Sequence, residues 1–162
     1  MSIVVNSTPL ISLAILGQLD LLQLIFGDVI VPRAVYDEVV TRGDGKPGHK
    51  NLTAVDWFQI EEVGHQELKQ SIMVELDEGE AEVICTAKDR GVRRVCIDEF
   101  AGRRYAKLLG LEVIGTLGVL LIAKQRSYIR EIKPCIEKLL ASDRHISTAV
   151  YNEVLRKAGE LT

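Results

Sequence analysis

Short apolar runs alternate along the chain with longer stretches whose apolar residues recur at helical spacing. Four runs rich in aliphatic residues predict buried strands, and Phe58–Val63 predicts a fifth from a weaker pattern. The four runs are Ile3–Val5, Val29–Val31, Arg94–Ile97 and Leu111–Ile114. They are apolar without clean alternation, which is typical of parallel strands covered on both faces. Because predicted helices separate the strands, the sequence predicts an α/β domain with a central parallel sheet of about five strands.

Residues that start and stop helices bound the predicted helices. Pro9 suits a first turn, Asp77 and Glu80 have the spacing of a capping box, and Gly91 can end the helix that they begin. The stretch from Arg42 to Gly48, with three glycines and a proline, predicts a loop. The predicted helices run from Thr8 to near Gly17, over Leu19–Phe26, Ala34–Thr41 and Glu67–Val74, from Asp77 to Gly91, over Ala101–Leu109, from a capping Thr116 to Lys124, and over about Lys133–Ala141 and Ser147–Ala158.

Length and charge limit the organisation and the classes of partner. The 162 residues suit one domain. We expect residues 1–162 to form this single domain, with a C-terminal helical extension from about residue 131. The net charge of −3 argues against binding nucleic acid over the whole surface, but it permits a local basic patch.

Cysteine use and hydropathy bear on the compartment. The three cysteines, Cys85, Cys96 and Cys135, have no CxxC spacing. Cys85 and Cys96 lie in apolar stretches and are predicted to be buried free thiols, which fits a reducing cytoplasm. The longest uncharged apolar run, Val113–Ala123, is too short to span a bilayer. We therefore expect a cytoplasmic protein with no membrane partner.

Polar residues follow the predicted strands, at the edge of the sheet where open α/β folds bind their ligands. Asn6, Ser7 and Thr8 follow the first strand, Asp98 and Glu99 follow the fourth, and Thr116 follows the fifth. Helices begin at the same edge, so Glu80 in the first turn of its helix and Glu38 in the second turn of another should face it. The predicted site therefore gathers carboxylates from distant parts of the chain.

Such a cluster points to a cation. Carboxylates held together repel one another unless a positive charge compensates. Oxygen ligands of this kind suit Mg²⁺ or Mn²⁺ rather than zinc, and such an ion can orient a water and stabilise charge on a phosphate. His49, His65 and His145 are scattered through loop-like segments and form no rival cluster in the sequence.

Three segments resemble the PIN-domain superfamily when taken together and in this order. They are IVVNSTPLI, LDEGEAEVICTAK and CIDEFAGRRYAKLLGLEVIGTLGVLLIAK, and the C-terminal KPCIEKLLASDRHIS extends the resemblance over nearly the whole chain. More narrowly, the chain resembles a branch of predicted nucleic-acid-binding bacterial and archaeal PIN proteins that are often encoded beside small antitoxins. The resemblance implies a three-layer α/β/α sandwich.

The resemblance also implies a site. The family's four acidic positions fall on Asn6, Glu38, Glu80 and Asp98, with Glu99 beside the last. Glu38, Glu80 and Asp98 are then expected to be catalytic, and Asn6, Glu80, Asp98 and Glu99 to be metal ligands for Mg²⁺ or Mn²⁺. Most active PIN nucleases have Asp where this chain has Asn6, although Asn also occurs there in the narrower branch.

Other residues are expected to contact the substrate or a partner. We expect Ser7, Arg103, Arg104 and Thr116 to contact substrate; Ser7 or Thr8 matches the hydroxyl that often supports the metal, and the arginines suit phosphate. Arg103 and Arg104 could equally neutralise the acidic cluster. A Gly-rich loop carrying Arg42, Lys46 and Lys50 could contact phosphate or simply be solvated. The apolar helices 11–16 and 19–26 favour either core packing or a homodimer or higher homo-oligomer.

Each acidic residue also has a structural interpretation that needs no metal. Glu80 can complete the capping box with Asp77. Asn6 can cap the helix that follows it, and Asp98 can form a turn or cap the helix at Ala101–Leu109. Glu38 can be a solvated helix charge, and Glu99 a first-turn acid that favours the helix dipole.

The sequence thus supports two hypotheses. The first is a metal-dependent endoribonuclease, which in the family's setting would be the toxin of a toxin–antitoxin pair, acting on RNA and inhibited by a small antitoxin protein. The second is a PIN domain with weakened or lost catalysis that binds nucleic acid or regulates. Asn6 motivates the second hypothesis, because an amide adds no negative charge to the site.

Overall fold

Five parallel strands form the centre of the molecule in this computed structural model, which describes residues 1–161. In space the strands follow the order β3-β2-β1-β4-β5. The strands are β1 Ser2–Val5, β2 Asp28–Pro32, β3 Gln59–Glu61, β4 Arg94–Cys96 and β5 Glu112–Ile114. All four neighbouring pairs are parallel. This topology confirms the α/β prediction with a parallel sheet.

Helices cover both faces of the sheet. Helices α1 and α2 each pack on α8, and α5 packs on α6, which contacts β1, β2 and β4, so the layers are α/β/α as expected. The helices are α1 Ser7–Ile15, α2 Asp20–Phe26, α3 Arg33–Tyr36, α4 His49–Thr53, α5 Gln66–Ile72, α6 Glu78–Arg90, α7 Phe100–Leu108, α8 Thr116–Gln125, α9 Lys133–Ala141 and α10 Thr148–Lys157.

Strand β1 lies at the centre because it is apolar on both faces. Ile3, Val4 and Val5 have no exposed surface. The chain adds β2 and β3 on one side of β1 and then crosses to add β4 and β5 on the other. The carboxyl ends of β1 and β4 are therefore adjacent at the point where the direction of winding changes, and such a point is where open α/β sheets bind ligands.

The predicted helix 34–41 is two elements. Helix α3 gives way at Asp37 to a π-helical turn, Asp37–Thr41, in which the Arg42 N–H donates to the Asp37 carbonyl at 2.7 Å. A side chain at Gly43 would lie 2.2 Å from the Val39 carbonyl, so only glycine lets the chain turn back this closely. Helical periodicity does not distinguish the two hydrogen-bonding patterns, because a π turn adds only one residue per turn.

The loop predicted at residues 42–48 ends in a helix that the sequence did not indicate. Helix α4 follows Gly48, whose φ of 81° is the left-handed conformation that glycine adopts without strain. Lys50 therefore lies in α4 and not in the Gly-rich loop to which it was assigned together with Arg42 and Lys46. Leu52 of α4 is buried in the core, and this single anchor is too weak a pattern to predict a helix.

The C-terminal helices share the main core. Ile132, Ile136 and Leu139 around α9 and Val154 and Leu155 of α10 are all buried in one cluster with the sheet residues. The boundary predicted near residue 131 is therefore not a break in the core, and the division of the chain into a domain and an extension stays a prediction.

The cysteines and apolar helices are placed as follows. Cys85 and Cys96 are buried and free, as predicted, while Cys135 is half-buried. Burial raises the pKa of the Cys85 thiol to about 11. No single helix within residues 1–161 is long and apolar enough to cross a membrane; α1 and α2 reach that length only together, with a bend of 117° between them.

Candidate functional site

Asn6 lies at the carboxyl end of β1 and is 4% exposed. Its backbone N–H donates to the Cys96 carbonyl at 3.0 Å, which fixes it beside the end of β4. Asn6 occupies the N-cap position of α1, but its side chain makes no capping hydrogen bond to any residue of the described chain. The capping interpretation of Asn6 is therefore wrong, and its amide is left for another role.

Glu80 is 6% exposed and projects from the first turn of α6. The capping box is present as predicted: the Glu80 N–H donates to Asp77 Oδ1 at 2.8 Å, and Glu80 Oε2 accepts the Asp77 N–H at 3.2 Å. Burial raises the pKa of Glu80, opposed by the Asp77 N–H donor and reinforced by the charges of Asp77 and Glu99. Capping uses one carboxylate oxygen and leaves the other free.

Asp98 joins the end of β4 to the start of α8. Its Oδ1 accepts the Thr116 N–H at 2.7 Å and its Oδ2 accepts the Thr116 hydroxyl at 2.6 Å. Burial raises the pKa of Asp98, the two Thr116 donors oppose this, and the charge of Glu99 adds to it. Asp98 therefore does not cap the following helix α7, whose N-cap position is Glu99. Thr116 is not a cap either, because Gly115 holds that position.

Two exposed carboxylates are each held by a hydroxyl at the start of α1. The Ser7 hydroxyl donates to Glu38 Oε2 and the Thr8 hydroxyl donates to Glu99 Oε1, both at 2.5 Å. Neither Glu38 nor Glu99 is a freely solvated charge. The Ser7 and Thr116 hydroxyls, both expected to contact substrate, instead hold carboxylates in this structure.

Three glycines keep space open beside the predicted ligands. A side chain at Gly79 would lie 3.4 Å from Asn6 Oδ1, and one at Gly102 would lie 3.1 Å from Glu80 Oε1. A side chain at Gly115 would lie 2.8 Å from Asp98 Oδ1. The three oxygens therefore face room that any other residue would fill.

The two arginines of α7 have different surroundings. Arg103 is half-buried, its Nη1 donates to the Ile97 carbonyl at 2.8 Å, and its charge lowers the pKa of Asp98 against the effect of burial. Arg104 is exposed to solvent. The geometry of Arg103 favours the neutralising interpretation, and that of Arg104 leaves it available to a phosphate.

An open groove of about 600 Å³ begins at these residues. Asp98, Glu99 and Thr116 line it together with the segment between α9 and α10. The groove residues are Thr8, Ser12, Asp98, Glu99, Thr116, Leu117, Leu139, Asp143, Arg144, His145, Ile146, Ser147 and Val150. We call the part of the sheet's carboxyl edge that carries Glu38, Glu80, Asp98 and Glu99 the acidic edge. The acidic edge therefore adjoins a larger concave surface.

Comparison with protein families settles the fold family. The model of the DUF3368 family, described as a PIN domain, matches residues 2–160. The chain belongs to this family of PIN domains. No curated protein and no solved structure matches it at a significant level. The match confirms the resemblance at the level of the superfamily, whose members are generally metal-dependent nucleases.

The donor set of this PIN domain suits a hard divalent cation, because every predicted ligand offers an oxygen and the glycines leave space beside three of them. Within residues 1–161, however, no three His, Cys, Asp or Glu side chains lie close enough together to hold one ion. An ion at this edge would have at most two carboxylates as ligands. Asn6 Oδ1 and water would complete its coordination, as Mg²⁺ often keeps several waters.

Sequence reasoning missed the residues that position Glu38. Glu82, 6% exposed, accepts the Ala34 N–H at 2.9 Å and the Lys69 ammonium at 2.7 Å, and so fixes the start of α3. His49 contacts the Val40 carbonyl at 2.9 Å at the end of the π-helical turn. No local sequence pattern pairs residues as distant as Ala34 and Glu82. The position of Glu82 on the buried face of α6 did indicate that it must have a partner.

Proposed function

We propose that this PIN domain is an Mg²⁺- or Mn²⁺-dependent endoribonuclease. The observation that carries the proposal is that buried Asn6 and Glu80 and half-buried Asp98 each lie beside a glycine that leaves room for a ligand, at the carboxyl ends of β1 and β4. Buried carboxylates with raised pKa values are unfavourable unless something compensates, and such groups cluster at functional sites.

The residues have distinct roles in this proposal. The candidate ligands are Asn6, Glu80, Asp98 and Glu99, and at most two of the three carboxylates would bind the same ion. A divalent ion held there would polarise the phosphodiester and favour ionisation of a water. Glu38, which accepts the Ser7 hydroxyl and is exposed to solvent, would accept the proton of a water molecule as a general base.

The test is cleavage of RNA by the purified protein with and without Mg²⁺ or Mn²⁺. Asp98→Asn and Glu80→Gln should each lower the rate by at least about 100-fold, because each removes a charge from the metal or its water. Glu137→Gln, an exposed acid of α9, is the matched control and should leave the rate unchanged. Unchanged rates in both site variants would refute the assignment, and single-stranded DNA of the same sequence tests the preference for RNA.

A second candidate function is a PIN domain that binds nucleic acid or regulates without efficient catalysis. Asn6 favours it, because a neutral amide stands where a third negative charge would strengthen metal binding. Asn6→Asp distinguishes the two: an inert wild type whose Asn6→Asp variant gains metal-dependent cleavage supports the binding role. An active wild type excludes it.

We further propose that the protein acts in the cytoplasm as the toxin of a toxin–antitoxin pair, and the support is the sequence's likeness to that branch of the superfamily. A small protein encoded by a neighbouring reading frame should then inhibit cleavage when mixed in equimolar amounts. Failure of any such protein to bind would contradict the toxin role without affecting the nuclease proposal.

Self-association is a separate proposal. Core packing already accounts for the apolar character of α1 and α2, since Leu10, Leu13, Leu22 and Phe26 are buried, and Leu24 is the exposed large apolar residue of these helices. A homodimer or higher homo-oligomer therefore needs a surface besides their core-facing side. Light scattering over a range of protein concentrations tests it, and a constant monomer mass would exclude it.

A further inference from the structure

The groove beside the acidic edge has chemically different parts. Asp98 and Glu99 supply negative charge, and the segment between α9 and α10 supplies Arg144 and His145 together with a third acid, Asp143. The remaining surface is largely apolar, and its apolar residues are Leu117, Leu139, Ile146 and Val150. A ligand that fills this groove therefore presents both an anionic and an apolar part.

Arg144 lies between two parts of the acidic edge. It lines the groove with Asp98 and Glu99, and it also lines a smaller neighbouring cavity of about 130 Å³ with Glu38. Its backbone N–H donates to the Leu139 carbonyl at 3.0 Å, which anchors the segment to the end of α9. Among the ion pairs formed within residues 1–161, none involves Arg144.

An arginine in this position suits a phosphate. Its guanidinium presents paired donors that match two phosphate oxygens, and it stays charged at any physiological pH. By contrast, Arg156 of α10 is already occupied by Glu153, with Nη2 2.7 Å from Oε1. Because Arg144 is half-buried, part of its side-chain freedom is already restricted before it binds.

The apolar part suits the face of a nucleobase. Val150 is 44% exposed although its neighbours in the groove, Leu139 and Ile146, are more buried. The groove volume of about 600 Å³ lies within the range of sites that take a small organic molecule. A base can reach such a surface only when it is unstacked and unpaired, which is how proteins generally read single-stranded RNA.

We propose that this groove binds one unpaired nucleotide of an RNA substrate, with a phosphate against Arg144 and the base against Leu117, Ile146 and Val150. The proposal rests on the proposed nuclease function, since it names the substrate class that the same edge would cut. It assigns to the segment between α9 and α10 the selection of single-stranded over duplex RNA.

The first test measures binding of a short fluorescent single-stranded RNA, in Mg²⁺, in the Asp98→Asn background so that no cutting occurs. Arg144→Ala should weaken binding by about tenfold or more, as expected for loss of a charged hydrogen-bonding group. It should also lower the slope of log affinity against log salt by about 0.7, the value for one phosphate on a single strand. Arg130→Ala, an exposed arginine at the other end of α9, removes the same charge and is the control.

The second test concerns the base. Val150→Asn should weaken binding of the single strand and leave the salt slope unchanged. The control is Leu140→Asn, at a residue 40% exposed but outside the groove, and it should change neither the affinity nor the salt slope. The duplex form of the same RNA should bind more weakly than the single strand, and Val150→Asn should not alter its affinity.

The outcomes separate this inference from the nuclease proposal. If Arg144→Ala and Val150→Asn both bind single-stranded RNA like their controls, the inference is overturned and the groove is left to a protein partner. In that case metal-dependent cleavage that requires Asp98 still stands. If binding depends on Arg144 but no form of the protein cuts RNA, the inference holds and the nuclease proposal fails.

Discussion

At the scale of single residues, the site depends as much on absent side chains as on the acids. Gly102 in α7 lies against the carboxylate of Glu80, and Gly115 directly before α8 lies against that of Asp98. Gly115 has φ of −109°, which any residue adopts, so conformational freedom does not explain the glycine. The glycine is explained instead by the lack of space for a side chain beside Asp98 and Arg103.

Gly115→Ala should therefore damage the site through its Cβ alone. The added carbon would lie 2.8 Å from Asp98 Oδ1 and 3.0 Å from Arg103 Nη1, so the carboxylate must move away from Thr116. Overpacking of this kind costs about 1–3 kcal/mol of the free energy of unfolding. We expect that loss in urea denaturation, together with weaker Mn²⁺ binding by calorimetry.

Gly79→Ala is the comparison for Gly115→Ala. Its added carbon would lie 3.4 Å or more from every neighbour, an ordinary contact, and alanine favours a helix over glycine by about 1 kcal/mol. It should keep or raise the stability. Equal stability losses in both variants would mean that glycine at 115 has no steric role.

At the scale of elements, the predictable parts of the fold are those set by local chemistry. The five strands, the capping box of α6 and the glycine stop at Gly91 are present as predicted, because each depends on residues close together in the chain, although several strand ends differ by one or two residues. The π-helical turn, α4 and the pairing of Asp98 with Thr116 were not predicted. Each depends on contacts between distant segments, which hydropathy periodicity does not record.

The same distinction applies to the site. The residues that follow the strands could be identified from sequence, since parallel strands end at one edge. Their hydrogen-bond partners could not, and the capping role expected for Asn6 was wrong for this reason. Arg144 and Val150 gave no sequence signal either, because only the packing of α9 and α10 brings them to the groove.

Helix α3, which carries the chain to Glu38, should depend on the buried pair of Glu82 and Lys69. Their side chains are 8% and 11% exposed, and Glu82 also accepts the Ala34 N–H. Glu82→Ala leaves Glu78 as the one remaining partner of the Lys69 charge. We therefore expect the free energy of unfolding in urea to fall by about 2–4 kcal/mol. The double variant with Lys69→Met should recover part of that loss, and an additive double variant would contradict this coupling.

The junction of α9 with the C-terminus should be sensitive to pH through Glu160. Burial alone raises the pKa of Glu160, but N–H donors of Ile132 and Lys133 and the Lys124 ammonium outweigh it, so the pKa lies below its usual value. A lowered folded-state pKa gives stability that is present above the unfolded pKa and lost as pH falls through the folded pKa. The free energy of unfolding of the wild type should therefore exceed that of Glu160→Gln by about 1–3 kcal/mol at neutral pH.

The pH dependence of that difference is the measurement. Urea denaturation of wild type and Glu160→Gln at several pH values should show the gap closing as pH falls below about 4, the usual range of a glutamate. A gap that is the same at acidic and neutral pH would contradict the linkage. Glu131→Gln, an exposed acid beside the same junction, should show no gap at any pH.

At the scale of the whole molecule, charge is arranged against general binding of nucleic acid. The net charge is −3, and the acids at the carboxyl edge come from α6 and from the residues after β4, which the strand order places beside β1 at the centre of the sheet. Non-specific attraction of RNA therefore cannot come from the surface as a whole. Any affinity must be local, which is why the cation and Arg144 are the two features on which the function is proposed to depend.

The buried carboxylates lead to a last prediction, on how pH and metal act together on stability. The pKa values of Glu80 and Asp98 are raised, in both cases mainly by burial. A raised folded-state pKa means that the contribution of these groups to stability is greatest below their unfolded pKa and is lost as pH rises through the folded pKa. The metal-free protein should thus lose stability from these groups as they ionise, and an ion that binds the ionised form should restore it. At 100 times its dissociation constant, Mn²⁺ should add about 2.7 kcal/mol near neutral pH. Because protons compete for the same oxygens, the Mn²⁺-induced rise in Tm should shrink as pH falls. This decrease should begin above the usual carboxylate range, because the pKa values of Glu80 and Asp98 are raised. Asp98→Asn should abolish most of the rise and Asn6→Asp should enlarge it. A rise in Tm that does not change with pH, or that survives in Asp98→Asn, would place the ion somewhere other than this edge.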